Sequence, residues 1–142
     1  MNHIEEYQNL SDEQIKEILH KYKTVAVVGL SSDESRPSHG VARYLQRRGF
    51  KIIPVNPKEK EILGEKAYPD LSSIPDKVEI VDIFRRPELV PPIVDESIKI
   101  GAKVVWMQEG VINHPAAIKA SQNGILVVMD KCMFKEYKVL GE

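Results

Sequence analysis

The sequence predicts an α/β protein: one Rossmann-like domain built on a doubly wound, five-stranded parallel sheet in the strand order 3-2-1-4-5. Three observations predict it. Short runs rich in β-branched residues recur five times along the chain. Stretches with helical apolar spacing separate them. The first run closes on a glycine, followed by a polar loop and a helix start. Apolar strands that alternate with amphipathic helices indicate a parallel sheet covered on both faces. Right-handed crossovers leave few ways to connect such a sheet.

The elements follow in order. Residues 11–22 form a first helix. Ser11 is placed to cap it, Gln14 is its capping-box partner, and Ile15, Ile18 and Leu19 share one face. Residues 24–29 are the first strand, and 30–37 a polar loop. The second helix starts near Ser38, turns Val41, Ala42, Tyr44 and Leu45 inward, and stops at Gly49. Residues 51–55 are the second strand, closed by Asn56 and Pro57. A looser stretch follows, with turns at Gly64 and Pro69.

Residues 78–84 are the third strand. Pro87 suits the first turn of the next helix, which runs towards Ile100. Pro91 and Pro92 either delay that helix or lie in its first turn. Residues 103–107 are the fourth strand, 113–123 a helix with Pro115 near its start, and 125–129 the fifth strand. Asp130 opens a short final helix or tail. Residues 1–142 are read as one domain, with 1–22 as an N-terminal helical segment and no internal repeat.

Composition narrows the function. A chain of 142 residues buries about two-thirds of its unfolded surface and needs no disulfide or metal to fold. The 42% hydrophobic and 29% charged fractions are those of a soluble globular protein. A net charge of -1 lacks the basic excess that drives counterion release from nucleic acid. Cys132 is the single cysteine, so no internal disulfide or Cys-based zinc site forms, and a reducing compartment fits. His3, His20, His39 and His114 lack zinc-ligand spacing. The first ten residues are polar and acidic, unlike a signal peptide. No apolar run approaches the roughly 20 residues of a membrane span. The expectation is a cytoplasmic protein that binds a small molecule, with no metal, nucleic acid or membrane.

In a sheet of this kind ligands bind beyond the carboxyl ends of the strands, at the switch between the first and fourth. Four segments meet there: 30–39, 56–58, 84–86 and 108–111. The first loop reads Gly-Leu-Ser-Ser-Asp-Glu-Ser-Arg-Pro-Ser-His-Gly over 29–40. Free main-chain N–H groups at the helix start favour an anion by roughly 0.3–1 kcal/mol. Ser31, Ser32 and Ser38 can add neutral hydrogen bonds. Arg36 can add a charge-assisted one worth about 1.5–3 kcal/mol. Asp33 and Glu34 oppose an anion and are expected to point away. The competing reading is a solvated loop with Ser38 as an ordinary helix cap.

No P-loop and no G-x-G-x-x-G pattern is present. The second strand ends in Val55-Asn56-Pro57-Lys58, where an NAD site carries an acid for the ribose. Lys58 suits a phosphate better than a diol, which leaves room for a 3′-phosphorylated adenosine. Asn56 reads equally as a turn residue before proline.

Phe84, Arg85 and Arg86 follow the third strand. Neighbours there point opposite ways, so one arginine is expected to reach a ligand. As a plain exposed pair they would make salt bridges worth about 0–1 kcal/mol. After the fourth strand Gln108 and Glu109 offer hydrogen-bonding groups, and Gly110 permits close backbone approach. Trp106 reads as core. Cys132 reads as a small buried core residue, or as a thiol within reach of a ligand thiol. No Ser-His-Asp or Cys-His constellation can be assigned.

Five stretches, 27–31 with 36–38, 53–57, 81–87, 101–110 and 127–132, together resemble the small CoA-binding domain proteins. These are stand-alone relatives of the CoA-binding N-terminal domain of the succinyl-CoA synthetase α subunit. The resemblance covers about residues 22–137. It implies a Rossmann-like fold with coenzyme A lying across the strand ends. The phosphates would rest on Gly29, Leu30, Ser31, Arg36, Pro37 and Ser38. The 3′-phosphorylated adenosine would lie near Val55, Asn56, Pro57 and Lys58. Phe84, Arg85 and Arg86 would flank adenine and phosphates, while Gln108, Glu109 and Gly110 would line the cleft. No motif here matches the synthetase's phosphorylated histidine, so the resemblance implies binding of CoA or an acyl-CoA more than a reaction. The rival readings are a partner-dependent acyl-CoA enzyme component, an NAD(P)-binding domain, and an interaction scaffold with an empty cleft.

Overall fold

The computed structural model describes residues 5–141; His3 lies outside them. Its strands are β1 (Thr24–Val28), β2 (Lys51–Val55), a short hairpin of β3 (Glu61–Ile62) and β4 (Glu65–Lys66), β5 (Ile80–Ile83), β6 (Val104–Met107) and β7 (Leu126–Val128). Its helices are α1 (Asp12–Lys21), α2 (Pro37–Arg47), α3 (Val90–Lys99), α4 (His114–Gln122) and α5 (Met133–Glu136).

The five long strands form one parallel sheet in the order β2-β1-β5-β6-β7. Outside β2 the chain adds a single parallel bridge between Val55 and Tyr68. With that bridge counted third, the expected 3-2-1-4-5 order holds and β7 follows as a sixth position. The segment 78–84, expected to be third, is fourth in that count. It pairs with β1, from Val25↔Ile80 to Val28↔Ile83. The true third position is too short to read as a strand. Tyr68 donates its N–H to the Pro54 carbonyl at 3.0 Å, and Asn56 donates to the Tyr68 carbonyl at 2.9 Å. Pro54 thus turns its polar side to the outer edge, where a missing N–H takes nothing from the β1–β2 ladder.

Alternating strand residues feed two cores. Ala26, Val28, Val81, Ile83, Val105 and Val127 pack with Val94 of α3 and Ala117 of α4. Val25, Val27, Ile80, Val104 and Trp106 pack with Leu19 of α1, Leu45 of α2 and Met133 of α5. Each fully buried Val, Leu or Ile contributes roughly 1.5–3 kcal/mol. Both sheet faces are therefore held, and the strand ends stay in fixed register.

The helix ends follow their sequence signals, with one exception. Ser11 and Gln14 form the reciprocal capping box of α1. Asn113 caps α4 by accepting from the Ala116 N–H at 3.0 Å. Pro91 and Pro92 lie in the first turn of α3, after a 3-10 turn at Pro87–Leu89. By contrast α2 begins at Pro37 and has no side-chain cap at all. The β3–β4 hairpin turns on Leu63 and Gly64, both with positive φ. That is the backbone of a type I′ turn, which a leucine conceals in the sequence. On the β7 edge, Asn9 bonds both main-chain groups of Met129, at 2.7 and 2.8 Å. No helix among the described residues is long and apolar enough to cross a membrane.

Candidate functional site: a cleft at the carboxyl ends of β1, β5 and β6

The switch point lies between β1 and β5, and Gly29 makes it possible. Its φ is +90°, and a Cβ there would sit 2.5 Å from the Phe84 carbonyl oxygen and 2.9 Å from Arg85 Cδ. Only glycine lets the two strand ends close this far. Above them opens a cleft of about 540 Å³, within the range of small-molecule sites. Ser31, Arg36 and Ser38 form one wall, Phe84, Gln108 and Glu109 another, and Val41, Val111 and Cys132 an apolar side.

The loop after β1 is held by its own side chains. Ser31 donates its N–H to Ser38 Oγ at 3.0 Å. His39 Nδ1 lies 2.9 Å from the Ser31 carbonyl oxygen. Asp33 accepts from the Ser35 N–H and hydroxyl at 2.9 and 2.7 Å. The Ser35 hydroxyl first, and then its N–H, hold the Asp33 carboxyl below the ordinary carboxylate value. Asp33 therefore folds back on its own loop and does not line the cleft. Arg36 stands 4.0 Å from it with a side chain 70% exposed, loose enough to exchange that partner for a ligand anion. Ser38 lies inside the first turn of α2 and is not its cap. No side chain caps that first turn, where Pro37 has no N–H and His39 and Gly40 donate theirs to the Arg36 carbonyl at 3.1 and 3.4 Å.

Phe84 and Arg85 point to opposite faces, as neighbouring strand-end residues should. Phe84 walls the main cleft. Arg85 reaches a smaller pocket across Gly29, lined also by Val55, Pro57, Pro69, Asp70 and Ile93. Arg86 lines neither and pairs with Glu88 at 3.5 Å.

Most of the other expected residues are tied into the scaffold, Gln108 and Glu109 while also lining the cleft. Leu30 is fully buried, and its carbonyl accepts from Asn56 Nδ2 at 3.0 Å. Asn56 Oδ1 accepts from the Lys58 N–H at 2.8 Å, so Asn56 ties the first two loops together. Lys58 is exposed and follows Pro57 of the smaller pocket, without lining either pocket itself. Gly110 donates its N–H to Asp130 Oδ1 at 2.7 Å. Gln108 is buried and accepts from the Met133 N–H at 3.0 Å. Glu109 holds Lys135 at 3.0 Å, and that hydrogen bond raises the ammonium group's pKa.

Sequence reasoning missed Val41, whose apolar character signals only burial, and Pro69, Asp70 and Ile93, which the fold brings in from beyond β2 and from α3; Val111 closes the expected segment 108–111. Cys132 is buried, at 9% exposure, as its first reading expects, and it also lines the cleft.

Beneath the cleft lies an unexpected acid. Asp82 sits in register between Val27 and Trp106, one same-face step below Phe84. It is completely buried, and neither carboxyl oxygen has a hydrogen-bond partner. Burial pushes its pKa well above the ordinary aspartate value, so the acid form is favoured. Among the described residues no group of three or more His, Cys, Asp or Glu could hold a metal ion.

The sequence profile described as "CoA binding domain" matches residues 23–138. The chain belongs to the CoA-binding domain family. Within that family it is 43% identical over 126 residues to the protein YneT of Bacillus subtilis (strain 168), covering 89% of this chain and 93% of that one. A solved structure of a hypothetical protein from Pyrococcus horikoshii OT3 superposes with a TM-score of 0.92 at 42% identity, over 100% of both chains. The CoA-binding domain is also similar to part of the ADP-forming acetate–CoA ligase II of Archaeoglobus fulgidus, 37% identical over 83 residues. That match takes in 57% of this chain and only 12% of the ligase.

Proposed function

We propose that this protein binds coenzyme A or an acyl-CoA across the carboxyl ends of β1, β5 and β6, without catalysing a reaction of its own. The observation that carries the reading is the cleft wall after β1. An uncapped helix start, a loosely held Arg36 and a glycine with no room for a side chain converge on one open space. The Ser38 N–H at the helix start and the Arg36 guanidinium are donors that suit a phosphate. Ser38 Oγ already accepts from Ser31, so its hydroxyl hydrogen remains to be donated to a phosphate oxygen.

From that point the ligand has two directions. Across Gly29, the pocket of Val55, Pro57 and Arg85 offers apolar walls and one cation to the adenosine end, its two carboxylates, Asp70 and Glu96, accept from Ser73 and Ser72, and Lys58 follows Pro57 for the 3′-phosphate. Towards β6, Val41, Val111 and Cys132 offer an apolar side to the pantetheine end. The acidic residue of an NAD ribose site has no counterpart on β2, where Asn56 spends its amide on Leu30 and Lys58. The likeness to ADP-forming acetate–CoA ligases favours a second reading, a binding component that serves an acyl-CoA enzyme formed with a partner.

Mass spectrometry of the protein as purified, first native and then denatured, tests the reading. The expected result is a noncovalent mass of CoA or an acyl-CoA, released on denaturation. A bare protein that also fails to bind added CoA by calorimetry, yet binds NAD(P), would overturn it. Turnover of an acyl-CoA only after a partner is added would favour the second reading.

A further inference from the structure

We propose that His39 is a positioning residue, which presets the ligand-facing loop by gripping the Ser31 peptide from behind the cleft. The inference rests on the reading of that loop as the phosphate site, but its geometry is independent of the ligand. His39 is the third residue of α2 and is 6% exposed. Its Nδ1 lies 2.9 Å from the Ser31 carbonyl oxygen. A carbonyl can only accept, so Nδ1 carries the hydrogen and donates it. One residue earlier, Ser38 Oγ accepts the Ser31 N–H at 3.0 Å. Both polar groups of the Ser31 main chain are thus committed to two successive side chains of one helix start.

The grip has a physical consequence. Ser31 and Ser38 line the cleft, whereas His39 does not. The next peptide back is pinned as well, since the Leu30 carbonyl accepts from Asn56 Nδ2. The next residues forward are tied by the Asp33 N–H, which donates to Ser31 Oγ at 3.0 Å. A loop ordered in advance spares the ligand the entropy of ordering it, and the gain appears as affinity. His39 is the buried post of this arrangement, because its ring is packed and its donor direction is fixed by the helix.

The test uses the difference between two amides. The Asn Nδ2 group falls near the place of the histidine Nδ1, and the Gln Nε2 group near that of Nε2. His39→Asn can therefore still donate to Ser31, while His39→Gln and His39→Leu cannot. The intact protein and the three variants are compared by calorimetry with CoA, and without ligand by hydrogen exchange of a peptide spanning 30–38. His39→Gln and His39→Leu are expected to weaken CoA binding by at least about tenfold, and to speed exchange in that peptide alone. His39→Asn is expected to stay within about threefold of the parent.

Asn and Gln variants that behave alike would overturn the proposal, because ring volume and not the donor would then be the cause. Parent-like exchange in His39→Leu would overturn it too. If the parent binds no CoA, the ligand reading fails, and the exchange measurement still decides the role of His39. Should His39→Leu fail to fold, the Asn and Gln pair carries the same contrast.

Discussion

Replacing Gly29 by alanine tests how closely the two strand ends must approach. The new Cβ would lie 2.5 Å from a backbone oxygen, that of Phe84, which cannot swing aside as a side chain can. The residue would also hold a φ of +90°, a conformation that costs an L-residue roughly 1–2 kcal/mol. Overpacking of this kind adds about 1–3 kcal/mol. The loss of unfolded-state freedom returns about 0.4–1 kcal/mol. The net destabilisation is then roughly 1–5 kcal/mol.

Gly110→Ala is the control. Its φ is +87°, but no atom lies within 4 Å of the added Cβ. It shares the strain and the entropy gain and lacks the clash. The difference between the two variants therefore isolates the clash, at about 1–3 kcal/mol. Urea unfolding of both, analysed with a common m-value, measures it. Equal losses in the two variants would refute the argument that the β1–β5 approach is what Gly29 serves. Gly29→Ala should also weaken CoA binding, since Phe84 must move and it walls the cleft.

Other outcomes follow from single residues. Arg36→Ala and Arg85→Ala are each expected to weaken CoA binding by about 1–3 kcal/mol, while Arg86→Ala leaves it nearly unchanged; titration calorimetry of the three decides whether the arginines divide as their faces suggest. Asp82 is favoured as the neutral acid in the fold and ionises freely when unfolded. Its contribution to stability is therefore complete below the ordinary aspartate value of 3.8 and is lost as pH rises towards its elevated folded value. Relative to Asp82→Asn, the parent should lose up to about 1.4 kcal/mol per pH unit across that window; parallel unfolding curves with pH would contradict the buried-acid assignment. Alkylation of Cys132 should slow when CoA is present, because the thiol lines the cleft; an unchanged rate would place the ligand away from it.

Much of the fold was legible because its signals are local. The β-branched runs of β1 and β6, the Ser11–Gln14 box and the prolines at helix starts each act within a few residues. Two things were not legible. The Val55–Tyr68 bridge is one residue long, so no periodicity marks it, and the segment 78–84 took its number. Leu63 with positive φ hid a hairpin, because turn chemistry normally places Asn or Gly there. The site divided in the same way. Residue types at the strand ends pointed to the cleft, but their directions did not follow from type alone. Gly110 and Asn56 carry polar groups suited to a ligand and use them on Asp130, Leu30 and Lys58.

By itself, the sequence determined the class of the fold, the loops that meet at the strand ends, and the family resemblance that names a ligand. These rest on spacing, capping and composition, which are properties of neighbours along the chain. Only the tertiary structure decided which donors remain unspent. Ser38 proved to be a brace for Ser31 and not a helix cap, Arg85 and Arg86 parted company, and His39 came to face a carbonyl eight residues away. It also showed Asp82 without a partner in the middle of the sheet. The reason is that hydrogen-bond satisfaction and burial are settled between segments distant in sequence, where register and packing, and not residue type, choose the partner.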